Sequence, residues 1–237
     1  MNNIETIPLI NLTYTLIPVL IVLVILVKWK LNTTHAIYAM SRMLIQLLAI
    51  GYFLNTIFAS ESAHITLFIL AVMLLFASWI ALNSVKQKRR LLFGKTVVSL
   101  VVACGFTLAI VIAAVLELSP WYQPRYVIPL GGMILANAMN SISLAAERFQ
   151  SEINNKTDIN EARNIAFNAA LIPTINVLFA VGLVSLPGMM TGQILSGVSP
   201  FIAARYQIMV MCMIFASSGL AAACFLTLIK QNYKNLK

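Results

Sequence analysis

Seven apolar runs, each about as long as the hydrocarbon core of a bilayer is thick, constrain this sequence most. They occupy residues 9–27, 41–58, 65–82, 96–116, 127–146, 165–185 and 201–229. A helix that crosses a bilayer needs about 20 mostly apolar residues. With 60% hydrophobic and 10% charged residues, the chain is too apolar for a soluble domain, in which about a quarter of residues are charged. The sequence therefore predicts an all-α integral membrane protein of about seven transmembrane helices, forming a single domain over residues 1–237.

The basic residues are concentrated in every second connection between these runs. Of the 16 Lys and Arg residues, 14 lie on one side of a seven-span topology, and Arg125 and Arg205 lie on the other. Connections rich in Lys and Arg stay in the cytoplasm. The asymmetry therefore predicts an N-terminus outside and a cytoplasmic C-terminus. The net charge of +9 is explained by topology, and we expect no nucleic-acid partner.

Two connections differ from the rest in composition. Residues 147–163 form the longest polar stretch of the chain, which predicts a cytoplasmic surface for a soluble partner. Residues 185–200 are rich in Pro and Gly, which predicts an extracytoplasmic turn or short re-entrant element, because irregular backbone at membrane depth must be buried in protein or line a cavity.

Polar side chains inside the predicted spans are candidates for a translocation path, because such groups are costly at membrane depth. Arg42 and Gln46 are four residues apart and share one helix face, although Arg42 could equally anchor the topology. Asn137 and Asn140 lie in the fifth span, where they could equally bond a neighbouring helix. In the sixth span, Pro173 removes a backbone hydrogen bond and could form a hinge.

Methionines cluster in the last three predicted spans and the connection between the last two. Thioethers are soft metal ligands, but Met is also a flexible filler of apolar interfaces. The two histidines, His35 and His64, lie on opposite sides of the predicted membrane. The packing interpretation is therefore favoured, and no metal ligands are assigned.

Catalytic groupings are absent from the sequence. The run Gly94-Lys95-Thr96 resembles the end of a phosphate-binding loop, but Arg89 stands where the partner glycine would be. No carboxylate lies in the middle of a predicted span, so any energy for active transport must come from elsewhere. We expect no enzymatic activity in this chain.

Several runs resemble the UPF0014 permeases, the membrane subunits of a bacterial iron-export ABC transporter with plant relatives linked to aluminium tolerance. The runs are Ser41–Tyr52, Val127–Met139, Ala170–Thr174, Gly182–Gly192 (GLVSLPGMMTG) and Tyr206–Met209, and the resemblance extends over residues 28–229. It implies a permease of the bacterial inner membrane that works as a homodimer. It also implies a separate nucleotide-binding ATPase subunit that holds the ATP and Mg, so that this chain needs no cofactor of its own.

The predicted function is the export of iron or another metal ion. The candidate translocation path consists of Arg42, Gln46, Met133, Asn137, Asn140, Asn168, Pro173, Met189, Met190, Gln193 and Gln207. The residues expected to couple the permease to the ATPase are Glu147, Arg148, Glu161 and Arg163. Two alternatives stay open. One is an ABC permease for a different solute, such as a sugar nucleotide or a lipid-like molecule. The other is a non-transporting membrane scaffold, because residues 147–163 lack the glycine turn typical of the family.

Overall fold

The computed structural model describes residues 8–59 and 62–234. The chain divides into two compact units, Met1–Ser60 and Glu61–Lys237. In the described part of the first unit, the helices are α1 (Leu9–Thr13), α2 (Leu16–Lys28) and α3 (Thr33–Phe58). Helix α3 begins before the predicted run 41–58, because Asn32 Oδ1 accepts a hydrogen bond from the His35 backbone N–H at 3.2 Å and caps a polar first turn.

The second unit holds the longer helices of the described chain. They are α4 (Ala63–Ala81), α5 (Arg89–Ile110), α6 (Pro124–Asn154), α7 (Ile159–Ala180), α8 (Gly188–Leu195) and α9 (Pro200–Lys234). A 3₁₀ segment, Leu82–Lys88, joins α4 to α5 and bends at Val85, whose φ and ψ are −123° and 50°. Helix α5 continues into a π-helical turn, Val111–Val115. The predicted connection 185–200 contains α8 as a short helix.

The number of membrane spans follows from helix length and apolar composition. Five described helical segments are long and apolar enough to cross a membrane: Ile10–Lys28, Thr33–Leu54, Ala63–Val115, Pro124–Asn154 and Pro200–Gln231. The third segment, of 53 residues, contains both α4 and α5. Helix α7 has 22 residues but carries Glu161, Arg163 and four asparagines, which lower its hydropathy. The prediction of an all-α membrane protein is confirmed, with five to seven spans among the described residues, whereas the orientation of the termini stays a prediction.

Helix α6 lies at the centre of the second unit, where it packs against α4, α5, α7 and α9. Gly131 permits the approach of α4, because a Cβ at this position would lie 2.5 Å from Leu70 Cδ2. Small residues allow such close packing of membrane helices. Apolar side chains with almost no exposure surround the contact regions, among them Ile134, Ile142, Phe149, Phe225 and Leu226.

Several buried hydroxyl groups in this unit are satisfied within their own helices. Ser78, Ser99 and Thr107 each donate to the backbone carbonyl four residues earlier, at 2.8, 2.8 and 2.7 Å. In lipid, no water is available to such groups. These hydroxyls are therefore compatible with the membrane interior without requiring a ligand or a neighbouring helix.

The close approach at Gly131 generates a prediction about stability. We expect Gly131→Ala to be less stable than Gly105→Ala in detergent by about 1 kcal/mol, because both variants gain helix propensity but only the methyl group at residue 131 must displace the end of the Leu70 side chain. Gly105→Ala is the matched control, since nothing lies within 4 Å of its added Cβ. Thermal unfolding followed by circular dichroism measures both, and equal midpoints for the two variants would contradict the packing argument.

Candidate functional site

A cavity of about 440 Å³ opens inside the second unit, and we refer to it as the amide cavity. It is bounded by α6, α7, the start of α8 and α9. Its lining includes the side chains of Met133, Asn137, Asn140, Pro173, Thr174, Met189, Gln207 and Met211. Six of these eight belong to the predicted translocation path, and the exceptions are Thr174 and Met211.

A second cavity of about 480 Å³ lies beside the amide cavity, and we refer to it as the arginine cavity. Arg125 and Tyr126, at the start of α6, form part of its lining, and Gln193 of α8 forms another part. Met133 and Met189 line both cavities. The two cavities therefore share a wall that is made in part of these two methionines.

The remaining predicted path residues lie elsewhere. Asn168 is exposed on α7 and Met190 is half-buried on α8, and neither lines the amide or the arginine cavity. Arg42 is half-buried and Gln46 is exposed on α3 of the first unit. The translocation role of all eleven residues stays a prediction, since position in a cavity does not by itself establish transport.

Amide groups give the cavities their hydrogen-bonding capacity. Asn137 Nδ2 donates to the backbone oxygen of Met133 at 2.8 Å. Gln207 is only 6% exposed, and its Oε1 is buried without a hydrogen-bond donor among the described residues. Gln193 Oε1 is in the same condition. A buried acceptor without a donor costs about 1–3 kcal/mol, so these two atoms are the places where a bound molecule would gain most from donating a hydrogen bond.

Pro173 lies inside α7, which is helical from Ile159 to Ala180. Because proline has no backbone N–H, it cannot donate to the carbonyl of Ala169. The next residue, Thr174, is buried and also lines the amide cavity. The part of the cavity wall formed by α7 therefore lies at the position where the helix lacks one backbone hydrogen bond.

Sequence reasoning missed Thr174 and Met211 as cavity residues. Met211 follows Gln207 by four residues in α9, so the two share one helix face. That spacing could have identified Met211 once Gln207 was chosen. Thr174 offered no comparable signal, because membrane helices commonly hold threonines that bond only to their own backbone.

The polar segment 147–163 forms a helical hairpin, which we refer to as the coupling hairpin. Helix α6 continues through the segment to Asn154, and α7 begins at Ile159. The prediction that the fifth span ends near residue 146 therefore placed the helix end too early, because hydropathy falls where the helix becomes polar while the backbone stays helical. Only residues 155–158 connect the two helices.

The four predicted coupling residues all lie on the helical arms of this hairpin. Arg148 pairs with Glu152 across one helical turn, with Nη2 and Oε1 2.7 Å apart. Glu147 and Glu161 are exposed, and Arg163 is half-buried and donates to Asn164 Oδ1 through Nη2 at 2.9 Å. Their coupling role stays a prediction.

Side-chain hydrogen bonds fix the tip of the hairpin. Thr157 Oγ1 donates to Glu152 Oε2 at 2.9 Å, and the Thr157 N–H donates to the Glu152 carbonyl at 3.1 Å. Asp158 caps α7 by accepting the Asn160 N–H at 2.8 Å. This backbone hydrogen bond, the largest cause, holds the pKa of the Asp158 carboxyl below its ordinary value of 3.8. The tip is therefore a defined turn whose cap depends on an ionised carboxylate.

Clusters typical of a protein metal centre are not found in the described chain. Residues 8–59 and 62–234 contain no group of three or more His, Cys, Asp or Glu side chains that could hold a metal ion. The described lining of the two cavities offers amides, thioethers and hydroxyls instead. Such groups can contact a solute by hydrogen bonding and dispersion.

Comparison with known proteins gives the family. The profile of the "Uncharacterised protein family (UPF0014)" matches residues 9–233. The chain belongs to this family. A UPF0014 membrane protein of Synechocystis is 37% identical, with 89% of this chain and 88% of the relative covered. The match confirms the predicted family and a multi-pass membrane protein.

Two further UPF0014 relatives carry descriptive names. The "Probable iron export permease protein FetB" of Escherichia coli is 35% identical, with 92% of this chain and 89% of the relative covered. The "Protein ALUMINUM SENSITIVE 3" of Arabidopsis thaliana is 28% identical, with 86% of this chain and 80% of the relative covered. No solved structure matches this chain.

The Asp158 cap generates a prediction about pH. Because its pKa is lowered by folding, the cap contributes stability that is present above the ordinary carboxyl pKa and is lost as the pH falls through the folded value. We expect backbone amides at the start of α7 to lose protection from hydrogen exchange between pH 5 and about pH 3, after correction for intrinsic rates. Asp158→Asn keeps an acceptor at the cap but does not titrate, so it should abolish this pH dependence. The same pH dependence in that variant would contradict the role of the carboxylate.

Proposed function

We propose that this chain is the membrane permease subunit of an ABC transporter that exports iron or another metal ion, with ATP hydrolysed by a separate subunit. The observation that carries the proposal is the amide cavity, because the half-buried Asn137 and the buried Gln207 bring polar groups together inside a helix bundle, with the exposed Asn140 on the same lining. Polar residues at such depth typically mark solute pathways. The name of the E. coli relative, "Probable iron export permease protein FetB", supports the choice of solute.

The coupling hairpin is suited to receive motion from an ATPase. Its two arms belong to α6 and α7, and the same helices carry Asn137 and Pro173 to the amide cavity. A force applied at the tip would therefore move two walls of the cavity directly. The missing hydrogen bond at Pro173 gives α7 a position at which bending costs little.

Orientation and assembly complete the proposal. The 14 basic residues predicted for one side would place the coupling hairpin and the C-terminus in the cytoplasm and the N-terminus outside. The membrane would be the bacterial inner membrane, where ATP is available on the cytoplasmic side. Because five to seven spans are half of what an ABC transporter usually contains, we include a homodimer of the permease.

Copurification tests the ATPase partnership. We expect the tagged protein, extracted from its native membrane in mild detergent, to bring a P-loop ATPase in comparable amount. The double variant Glu161→Ala and Arg163→Ala should reduce recovery of the ATPase at least about fivefold, since it removes two charged groups from the hairpin. Quantitative mass spectrometry measures the ratio.

Glu117→Ala is the control for this experiment. Glu117 is also exposed but lies between α5 and α6, at the other end of α6 from the hairpin. Unchanged recovery with this variant, together with loss in the double variant, supports docking at the hairpin. Reproducible absence of any ATPase from folded wild-type protein would refute the ABC assignment and favour the scaffold alternative.

Gln207 allows transport to be separated from stability. Gln207→Leu removes a buried acceptor that has no donor among the described residues, so we expect unfolding stability to stay the same or rise. Export should fall at least about tenfold, because the solute loses its hydrogen-bond partner. Metal loss from preloaded cells, measured by elemental mass spectrometry, reports export.

Gln123→Leu is the matched control, since Gln123 Nε2 donates to the Ser119 carbonyl at 3.0 Å outside the amide cavity. This variant should lower stability slightly and leave export intact. If Gln207→Leu exports metal at the wild-type rate, the amide cavity is not the solute pathway.

A further inference from the structure

The amide cavity and the arginine cavity form a candidate route through one unit of the protein. They share the side chains of Met133 and Met189, so a shift of these two flexible side chains would join them. The route would run from Pro173, on the wall of the amide cavity, to Arg125, on the wall of the arginine cavity. Whatever crosses the membrane by this route must be compatible with both linings.

Bare multivalent cations fit these linings poorly. The described side chains around both cavities include no carboxylate, imidazole or thiol. Hard cations are normally held by carboxylate and carbonyl oxygens, and borderline cations by imidazole or thiolate. Amide oxygens such as those of Gln193 and Gln207 can contact a cation, but without an anionic ligand they leave the charge of a multivalent ion unneutralised, and the ion bears much of its desolvation cost.

Arg125 makes the route still less favourable for a cation. Among the described residues that line the two cavities, Arg125 is the one with a charged side chain. It has no ion-pair partner among the described residues. Arg205, at the same end of the unit, is directed to a different neighbour, with its guanidinium carbon 4.7 Å from the centre of the Phe201 ring. Arg125 is exposed, so solvent screens part of its charge, but the remaining positive potential on this wall disfavours cations and attracts anions.

The volumes of the cavities also suit a larger solute. Water occupies about 30 Å³ per molecule in the liquid, so an ion with six waters fills roughly 200 Å³. Each cavity is about twice that size, at 440 and 480 Å³, and volumes of this order hold small organic ligands. The room therefore admits a metal complexed by an organic acid as well as a hydrated ion, and the choice between them rests on the charge of the linings.

We propose that the solute crosses this route as a metal chelate of neutral or negative net charge, whose own carboxylate or phosphate oxygens bind the metal. The inference rests on the proposed function and specifies its substrate class. Arg125 attracts the anionic chelate, the side-chain N–H groups of Asn140 donate to its outer oxygens, and Gln207 Oε1 accepts a hydrogen bond from a hydroxyl or protonated carboxyl group of the chelator. Met133 and Met189 separate the two cavities without binding the metal.

Charge-changing variants test this without knowledge of the chelator. Cells that lack their own copy are given the wild-type or variant protein, loaded with iron and moved to iron-free medium, and the iron retained is measured by elemental mass spectrometry. We expect Arg125→Glu to slow iron loss about tenfold and Arg125→Lys to stay near the wild type. Arg205→Glu is the matched control, because it makes the same charge change at the same end outside both cavities, and it should export normally.

Asn137→Asp provides a second test that is nearly isosteric. It places a carboxylate in the amide cavity, which should slow the passage of an anionic chelate and hasten that of a bare cation. If Arg125→Glu is not recovered from membranes in normal amount, the iron loss measured with Asn137→Asp tests the chelate inference in its place. If both variants export iron at the wild-type rate or faster, the chelate inference is wrong, while the proposed function as a metal exporter stands. Absence of any iron loss that depends on the wild-type protein would instead refute the proposed function.

Discussion

The need to satisfy polar groups without water governs this structure. Buried hydroxyls such as Ser78 and Thr107 meet that need inside their own helices. The amides are treated differently, because Asn137 satisfies only its N–H with its own backbone and the acceptor of Gln207 is left without a donor. Both side chains line the same cavity. Two of the buried atoms without a hydrogen-bond partner among the described residues, Gln207 Oε1 and Gln193 Oε1, belong to residues that line the two adjoining cavities, and this places unused hydrogen-bonding capacity along the candidate pathway.

Helix α6 connects the parts of the second unit to one another. Near its start, Arg125 lines the arginine cavity; near its middle, Gly131 lets α4 approach and Asn137 lines the amide cavity. Its last turns carry Glu147 and the Arg148–Glu152 ion pair of the coupling hairpin. Because it packs against α4, α5, α7 and α9, a displacement of this helix would be felt by most of the unit.

The membrane fold could be predicted because apolar length alone specifies a span. The helix ends could not, because they depend on caps such as Asn32 and Asp158 and on polar turns that continue the helix, as at residues 147–154. Gln207 was predicted from the family resemblance of the run Tyr206–Met209, whereas Asn137 was predictable as a cavity residue because amides at membrane depth are costly. Asn168 carries the same side chain but is exposed, since the sequence shows which residues share a helix face and not which neighbour that face meets. Thr174 could not be predicted as a cavity residue, because threonine is common in membrane helices and only its position beside Pro173 in the structure sets it apart.

The positions of the carboxylates bear on how energy for transport would reach the protein. The described linings of the two cavities contain none, so a proton or cation gradient has no titratable carboxylate there through which to drive the solute. The coupling hairpin, in contrast, carries Glu147, Glu152, Asp158 and Glu161 at one end of α6 and α7. Two of them, Glu152 and Asp158, hold the tip in a defined shape. In the proposed function, a polar tip of defined shape that is joined by α6 and α7 to the amide cavity is the element on which a nucleotide-driven partner would act.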